Sequence, residues 1–125
     1  PAHDGLWEAA YATRNDALAR LAIVPMVLEA RGLDVTPATV ERFEAQSDSA
    51  SARILKRIFT DEIRHVSAGT KWFESGCREA NLLPKYYWKT LVNRHFRGAV
   101  KPPFNDSARS KAGLARDYYM QVALS

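Results

Sequence analysis

The chain has 125 residues, of which 46% are hydrophobic and 26% charged, values that suit one domain with a core of its own. It holds a single cysteine, Cys77, which excludes an internal disulfide framework. No stretch nears the ~18 consecutive apolar residues of a membrane span, and no secretory leader is visible, so the expectation is a cytoplasmic protein with no membrane partner. The net charge of +4 is unevenly spread. Residues 1–84 carry 10 Lys/Arg against 12 Asp/Glu, and residues 85–125 carry 8 against 2. A basic tail of this kind serves nucleic acid, an acidic partner or simply a solvated face. The first residue is Pro1 rather than Met, which leads to the expectation that the chain is a piece of a longer protein.

Taken in order, Asp4 is a candidate cap for a first helix from about Gly5 to Arg31. Its apolar stripe reads Trp7, Tyr11, Leu18, Ala22, Pro25, Met26 and Glu29. Pro25 removes one backbone hydrogen bond and should kink this helix one turn before Glu29. Gly32 is a natural stop, with Leu33-Asp34-Val35 as the turn. Thr36-Pro37 reads as an N-cap and first position of a short second helix to about Gln46. Ser47-Asp48-Ser49 breaks and re-caps the chain. A third, long helix runs from about Ser49 to Ala80, and Asn81 ends it. Pro84 opens a fourth helix through about Phe96. Arg97 to Phe104 is a loop, and Asn105 or Asp106 caps a last helix to about Leu124. No strand pattern appears. The predicted class is all-α, a single helical domain over 1–125, with residues 1–80 as its metal-bearing helices and 81–125 as basic C-terminal helices.

The chemistry centres on Asp61-Glu62-Ile63-Arg64-His65-Val66. Glu62 and His65 stand at i and i+3, one turn apart on one helix face. Leu55, Ile58, Phe59, Val66, Gly69, Trp72, Phe73 and Gly76 share that stripe, so Glu62 projects from an apolar face and His65 from its edge. Lys56, Arg57, Thr60, Arg64, Ser67, Lys71, Glu74 and Arg78 form the opposite face. A carboxylate on an apolar face needs a partner. Dinuclear carboxylate sites in four-helix bundles take one Glu from each of two helices and one Glu-x-x-His from each of the other two. Glu29, Glu62 and His65 are half of such a set, and hard oxygens with one imidazole per metal suit iron or manganese. The other half would come from a second copy across a two-fold axis or from an N-terminal half of the same protein. The competing reading is metal-free, with Glu62 and Glu29 paired to buried Arg14 or Arg20 or held in each other's hydrogen-bond networks.

Four segments carry a resemblance. Residues Pro1 to Ala9, Glu29 to Pro37, Asp61 to Val66 and Arg94 to Asn105 resemble a family of bacterial ferritin-like proteins of unassigned function. The resemblance implies a ferritin-like bundle of two pseudo-repeated halves, each giving one Glu and one Glu-x-x-His. This chain resembles the second half, with Glu29 as the single Glu and Glu62 and His65 as the pair. Arg64 departs from the small residue common at that place and should point outward.

The leading functional expectation is therefore a metal-binding protein, a non-haem oxidoreductase with a dinuclear iron or manganese centre. Two others stand beside it. One is a metal-free helical structural or interaction module. The other is an RNA-modifying di-iron hydroxylase, suggested by the basic tail and by analogy with ferritin-like RNA hydroxylases. Arg94, His95, Arg97 and Lys101 are a candidate anion-binding group, although a cationic His95 also suits a helix C-terminus. His3 reads as a capping residue and Cys77 as a small buried hydrophobe. Tyr86, Tyr87, Tyr118 and Tyr119 read as core or interface.

Overall fold

The computed structural model describes residues 16–123. They form a helical bundle, with no strand among them. Helix α1 (Ala17–Ile23) passes into a π-helical turn (Val24–Glu29), which continues into α2 (Ala30–Ala45). The long α3 (Ser49–Glu79) returns antiparallel, followed by α4 (Pro84–His95) and the short α5 (Asp106–Lys111) and α6 (Arg116–Tyr119). No described helix is long and apolar enough to cross a membrane.

The first expected helix is reorganised at both ends. Asp16 is extended (φ −134°) and accepts from the Ala19 N–H, so α1 starts at Ala17; residues 5–15 of the expected helix, with His3, Asp4, Tyr11 and Arg14, lie outside the described residues. Pro25 gives a π turn, in which the Ala30 N–H reaches back to the Pro25 carbonyl. Met26 and Ala22 are buried, as their stripe requires. Leu18 and Pro25 lie against Gly76 and Gly69 of α3: a Cβ at Gly69 would come within 2.4 Å of the Pro25 ring, and one at Gly76 within 2.5 Å of Leu18. These two glycines let α3 approach α1 and the π turn closely.

Gly32 does not stop a helix, and Thr36-Pro37 does not start one. Both lie inside α2, and Leu33-Asp34-Val35 is helix rather than turn. The reason is tertiary. Pro37 has no N–H, so the Leu33 carbonyl loses its helical donor; the Asn105 side-chain amide donates to that carbonyl at 3.1 Å. Asp34, with a fully buried side chain, accepts from Arg109 Nε (2.9 Å) and Nη2 (2.7 Å), from the Asn105 N–H (2.8 Å) and from Arg31 Nη1 (3.2 Å). A bidentate guanidinium is among the strongest partners a buried carboxylate can have. Local stop signals worth a few kcal/mol yield to this anchor.

Three helices end alike. After α2, α3 and α5 a residue takes positive φ: Ser47 (61°), Asn81 (59°) and Gly113 (81°). In each case the next residue donates back to the third-last helical carbonyl, Asp48 to Phe43, Leu82 to Cys77 and Leu114 to Arg109, all at 2.8 Å. This is the Schellman closure. Gly113 thus splits the expected single last helix into α5 and α6. The remaining signals hold: Asp48 caps α3 by accepting from the Ser51 N–H, and Asn105 caps α5 by accepting from the Ala108 N–H.

The core is built from Ile23, Met26, Leu33, Val66, Phe73, Trp88, Leu91, Tyr118 and their neighbours, with Cys77 buried among them. Burial, then Glu74, pushes the Cys77 thiol up, which suits an inert thiol. The Trp88 indole donates to the Ala22 carbonyl at 3.1 Å, pinning α4 to α1. Glu74, expected on the outward face, is half-buried and accepts from the Tyr118 hydroxyl at 2.7 Å.

Two expectations follow. Gly69→Ala should destabilise by about 1–3 kcal/mol, because the Pro25 ring is too stiff to yield, whereas Gly32→Ala, with open space around its Cβ, should stabilise by roughly 0.5–1 kcal/mol; denaturant titration reads both. Arg109→Met should cost about 3–5 kcal/mol by stranding the Asp34 charge, and adding Asp34→Leu should recover much of it.

Candidate functional site

Glu29 is the last residue of the π turn, and Glu62 and His65 stand one turn apart at mid-α3. Where the two segments pack, each of the three residues offers a ligand atom within 4.8 Å of the other two. The three candidate ligands are therefore together in space. Glu29 and Glu62 are half-buried and His65 is exposed, with a side chain 67% accessible against 24% for Glu62. His65 Nδ1 lies 3.8 Å from Glu62 Oε2, too far for a hydrogen bond. The ring is close enough to share a small cation with the carboxylate.

The other Glu62 oxygen is the telling atom. Oε1 is buried, and no described residue donates to it. Two ionised carboxylates have no hydrogen to give each other, so a proton or a cation must lie between them. Burial first, then Glu29, by a shared hydrogen bond and by repulsion, pushes the Glu62 carboxyl up to about 7, against a smaller opposite pull from His65. The ion-pair alternative finds no support among the described residues: Arg20 is exposed, and the cationic neighbour of Glu62 among them is His65. Arg14 lies outside the described residues.

The helix face carrying this cluster is uncovered on one side. Ile54 (61% exposed), Ile58 (50%) and Trp72 (71%) lie on α3 at spacings that run through His65. Periodicity placed Ile58 and Trp72 on the apolar stripe; burial shows that the bundle covers the Val66–Gly69–Phe73 edge and leaves theirs bare. Arg64 is exposed, as expected.

On the other side of Glu29 a cavity of about 490 Å³ opens between the π turn, α4 and the 96–104 loop. Met26, Val27, Trp88, Phe96, Val100 and Phe104 give it apolar walls, and Glu29, Arg31, Lys101 and Arg109 add charge. Of the anion-binding candidates, Lys101 lines this cavity; Arg94, His95 and Arg97 are not among its walls. Arg94 and Arg97 are exposed and His95 is half-buried. Nothing in local pattern marks the cavity, because its walls come from segments some 70 positions apart. The basic tail is also less free than its count suggests, since Arg109 is buried on Asp34 and Lys85 pairs with Asp117 at 2.6 Å.

An acid whose pKa rises on folding holds its proton more tightly in the folded chain. Its stabilising contribution is complete below the unfolded value and vanishes above the folded one. In chelator-treated protein, the Glu62 contribution should therefore be present below about pH 4.5 and fade as pH rises through about 7. Glu62→Gln, which stays neutral, should flatten this slope in denaturant titrations across that range.

Comparison with known proteins places the chain more broadly. A relative from Haemophilus influenzae, described as an uncharacterized protein, is 39% identical over 115 residues, covering 92% of this chain and 40% of the relative. The chain thus spans well under half the length of that relative. No solved structure matches. The model of the family described as Protein of unknown function (DUF455) matches residues 1–120, and the chain belongs to that family.

Proposed function

We propose that this chain supplies half of a dinuclear iron or manganese centre in a ferritin-like bundle, and that the complete protein is a non-haem oxidoreductase. The observation that carries the reading is the buried Glu62 Oε1, which has no donor among the described residues, on a carboxylate grouped with Glu29 and His65 within 4.8 Å. The donor set fits the metal class. Two carboxylates and one imidazole are hard-to-borderline ligands, and a dication would replace the proton that the carboxylate pair otherwise requires.

In this reading Glu62, Glu29 and His65 would together hold the metal from this chain's side. The metal pair would supply redox equivalents. The chain's own residues hold the site rigid: Gly69 against Pro25 fixes the π turn on α3, and with it the approach of Glu29 to Glu62. The bare stripe of Ile54, Ile58 and Trp72, with His65 along it, supports a partner segment there that brings the second Glu and Glu-x-x-His. That segment belongs to the rest of the protein or to a second copy.

Metal analysis of protein prepared under reducing conditions tests this reading. Wild type should carry roughly one iron or manganese per chain, and Glu62→Ala with His65→Ala should lose nearly all of it. Glu29→Ala should weaken retention, with helicity by circular dichroism unchanged. Negligible metal in wild type and variants alike would sink the proposal and leave the carboxylate pair as a proton-sharing structural contact.

A further inference from the structure

The cavity beside Glu29 has a composition of its own. Its volume of about 490 Å³ lies within the usual range of small-molecule sites, which are mostly apolar with a few convergent polar groups. The apolar walls are Met26 and Val27 of the π turn, Trp88 of α4, and Phe96, Val100 and Phe104 of the loop. Charge is lopsided. Arg31, Lys101 and Arg109 line the cavity, and the carboxylate that pairs with cations here is Asp34, which is fully buried and takes both forks of Arg109. Arg31 uses Nη1 for Asp34 and for the Lys101 and Pro103 carbonyls, and no acceptor for its Nε or Nη2 is found among the described residues. Lys101 is exposed, and no acceptor for its ammonium is found among the described residues. The acid in the wall itself, Glu29, faces Glu62.

From this we infer that the cavity binds a small anionic amphiphile, an aliphatic or aryl body carrying one carboxylate. The body packs against Met26, Val27, Trp88, Phe96, Val100 and Phe104. The carboxylate meets Arg31 and Lys101. This deepens the metal reading by naming the substrate class, since Glu29 is both a wall of the cavity and a member of the carboxylate–imidazole cluster. The ligand's apolar body then lies next to the centre.

The test uses chelator-treated protein, so that ligand binding is read without metal. Titration calorimetry with dodecanoate below its micellar concentration should give one site per chain, and 1-dodecanol should bind about tenfold more weakly for want of the anion. Ala99→Trp, at an exposed position in the cavity wall, should weaken both ligands about tenfold by filling the space. Lys101→Glu should abolish the preference for the acid. Helicity by circular dichroism should be as in wild type for both variants. Absence of dodecanoate binding, equal affinity for acid and alcohol, or indifference to Ala99→Trp would each overturn the inference. Metal retention measured on untreated protein is independent of these outcomes, so the two readings fail separately.

Discussion

The structure depends on one buried ion pair. Asp34 and Arg109, both shielded from water, sit on elements far apart in the chain. Their attraction in a low-dielectric setting offsets the cost of drying two charges only because the geometry is bidentate and further N–H groups fill the remaining lone pairs. Arg109 also lies over the Phe104 and Tyr119 rings, 4.9 and 4.5 Å from their centroids, so the cation is held on its faces as well as its edge. With this pair in place, α2 runs unbroken across Gly32 and Pro37, and the 96–104 loop is drawn over the π turn. The cavity exists because that loop is held there.

The second constraint is the carboxylate pair at the α3 interface. Most folds avoid two acids facing each other across a half-buried contact, because one of them must stay neutral or share a cation. Here Gly69 and Gly76 let α3 come close to α1 and the π turn, so the pair cannot relax by moving apart. Strain of this sort tends to mark function rather than packing. The π turn points the same way, since such turns gather at functional sites.

What could be read from the chain alone divides by range. The long α3, its Asp48 cap, its Asn81 terminus and the inward aim of Glu62 follow from a stripe and caps that lie within a few residues of one another. Glu29 sharing an apolar stripe with Met26 and Ala22 was legible on the same ground. The stop expected at Gly32 and the helix start expected at Thr36-Pro37 failed because the groups that overrule them, on Asn105 and Arg109, lie 71 to 75 positions from the Leu33 and Asp34 atoms they bind. Periodicity likewise marks Ile58 and Trp72 as apolar, but only tertiary structure shows which edge of α3 is covered. The cavity left no trace in local pattern, being a product of how distant walls meet.

Asn105 carries a consequence for how the molecule comes apart. Its Oδ1 accepts from the Ala108 N–H at the head of α5, while its Nδ2 serves the carbonyl that Pro37 leaves bare in the middle of α2. One side-chain amide is thus at once a helix cap and a patch in another helix. Fraying α5 would expose a dry carbonyl and a dry carboxylate inside α2 together. The C-terminal segment is therefore no detachable appendage. It opens and closes with α2 as one cooperative unit, and slow amide exchange should be shared between two stretches of chain that local sequence would never group.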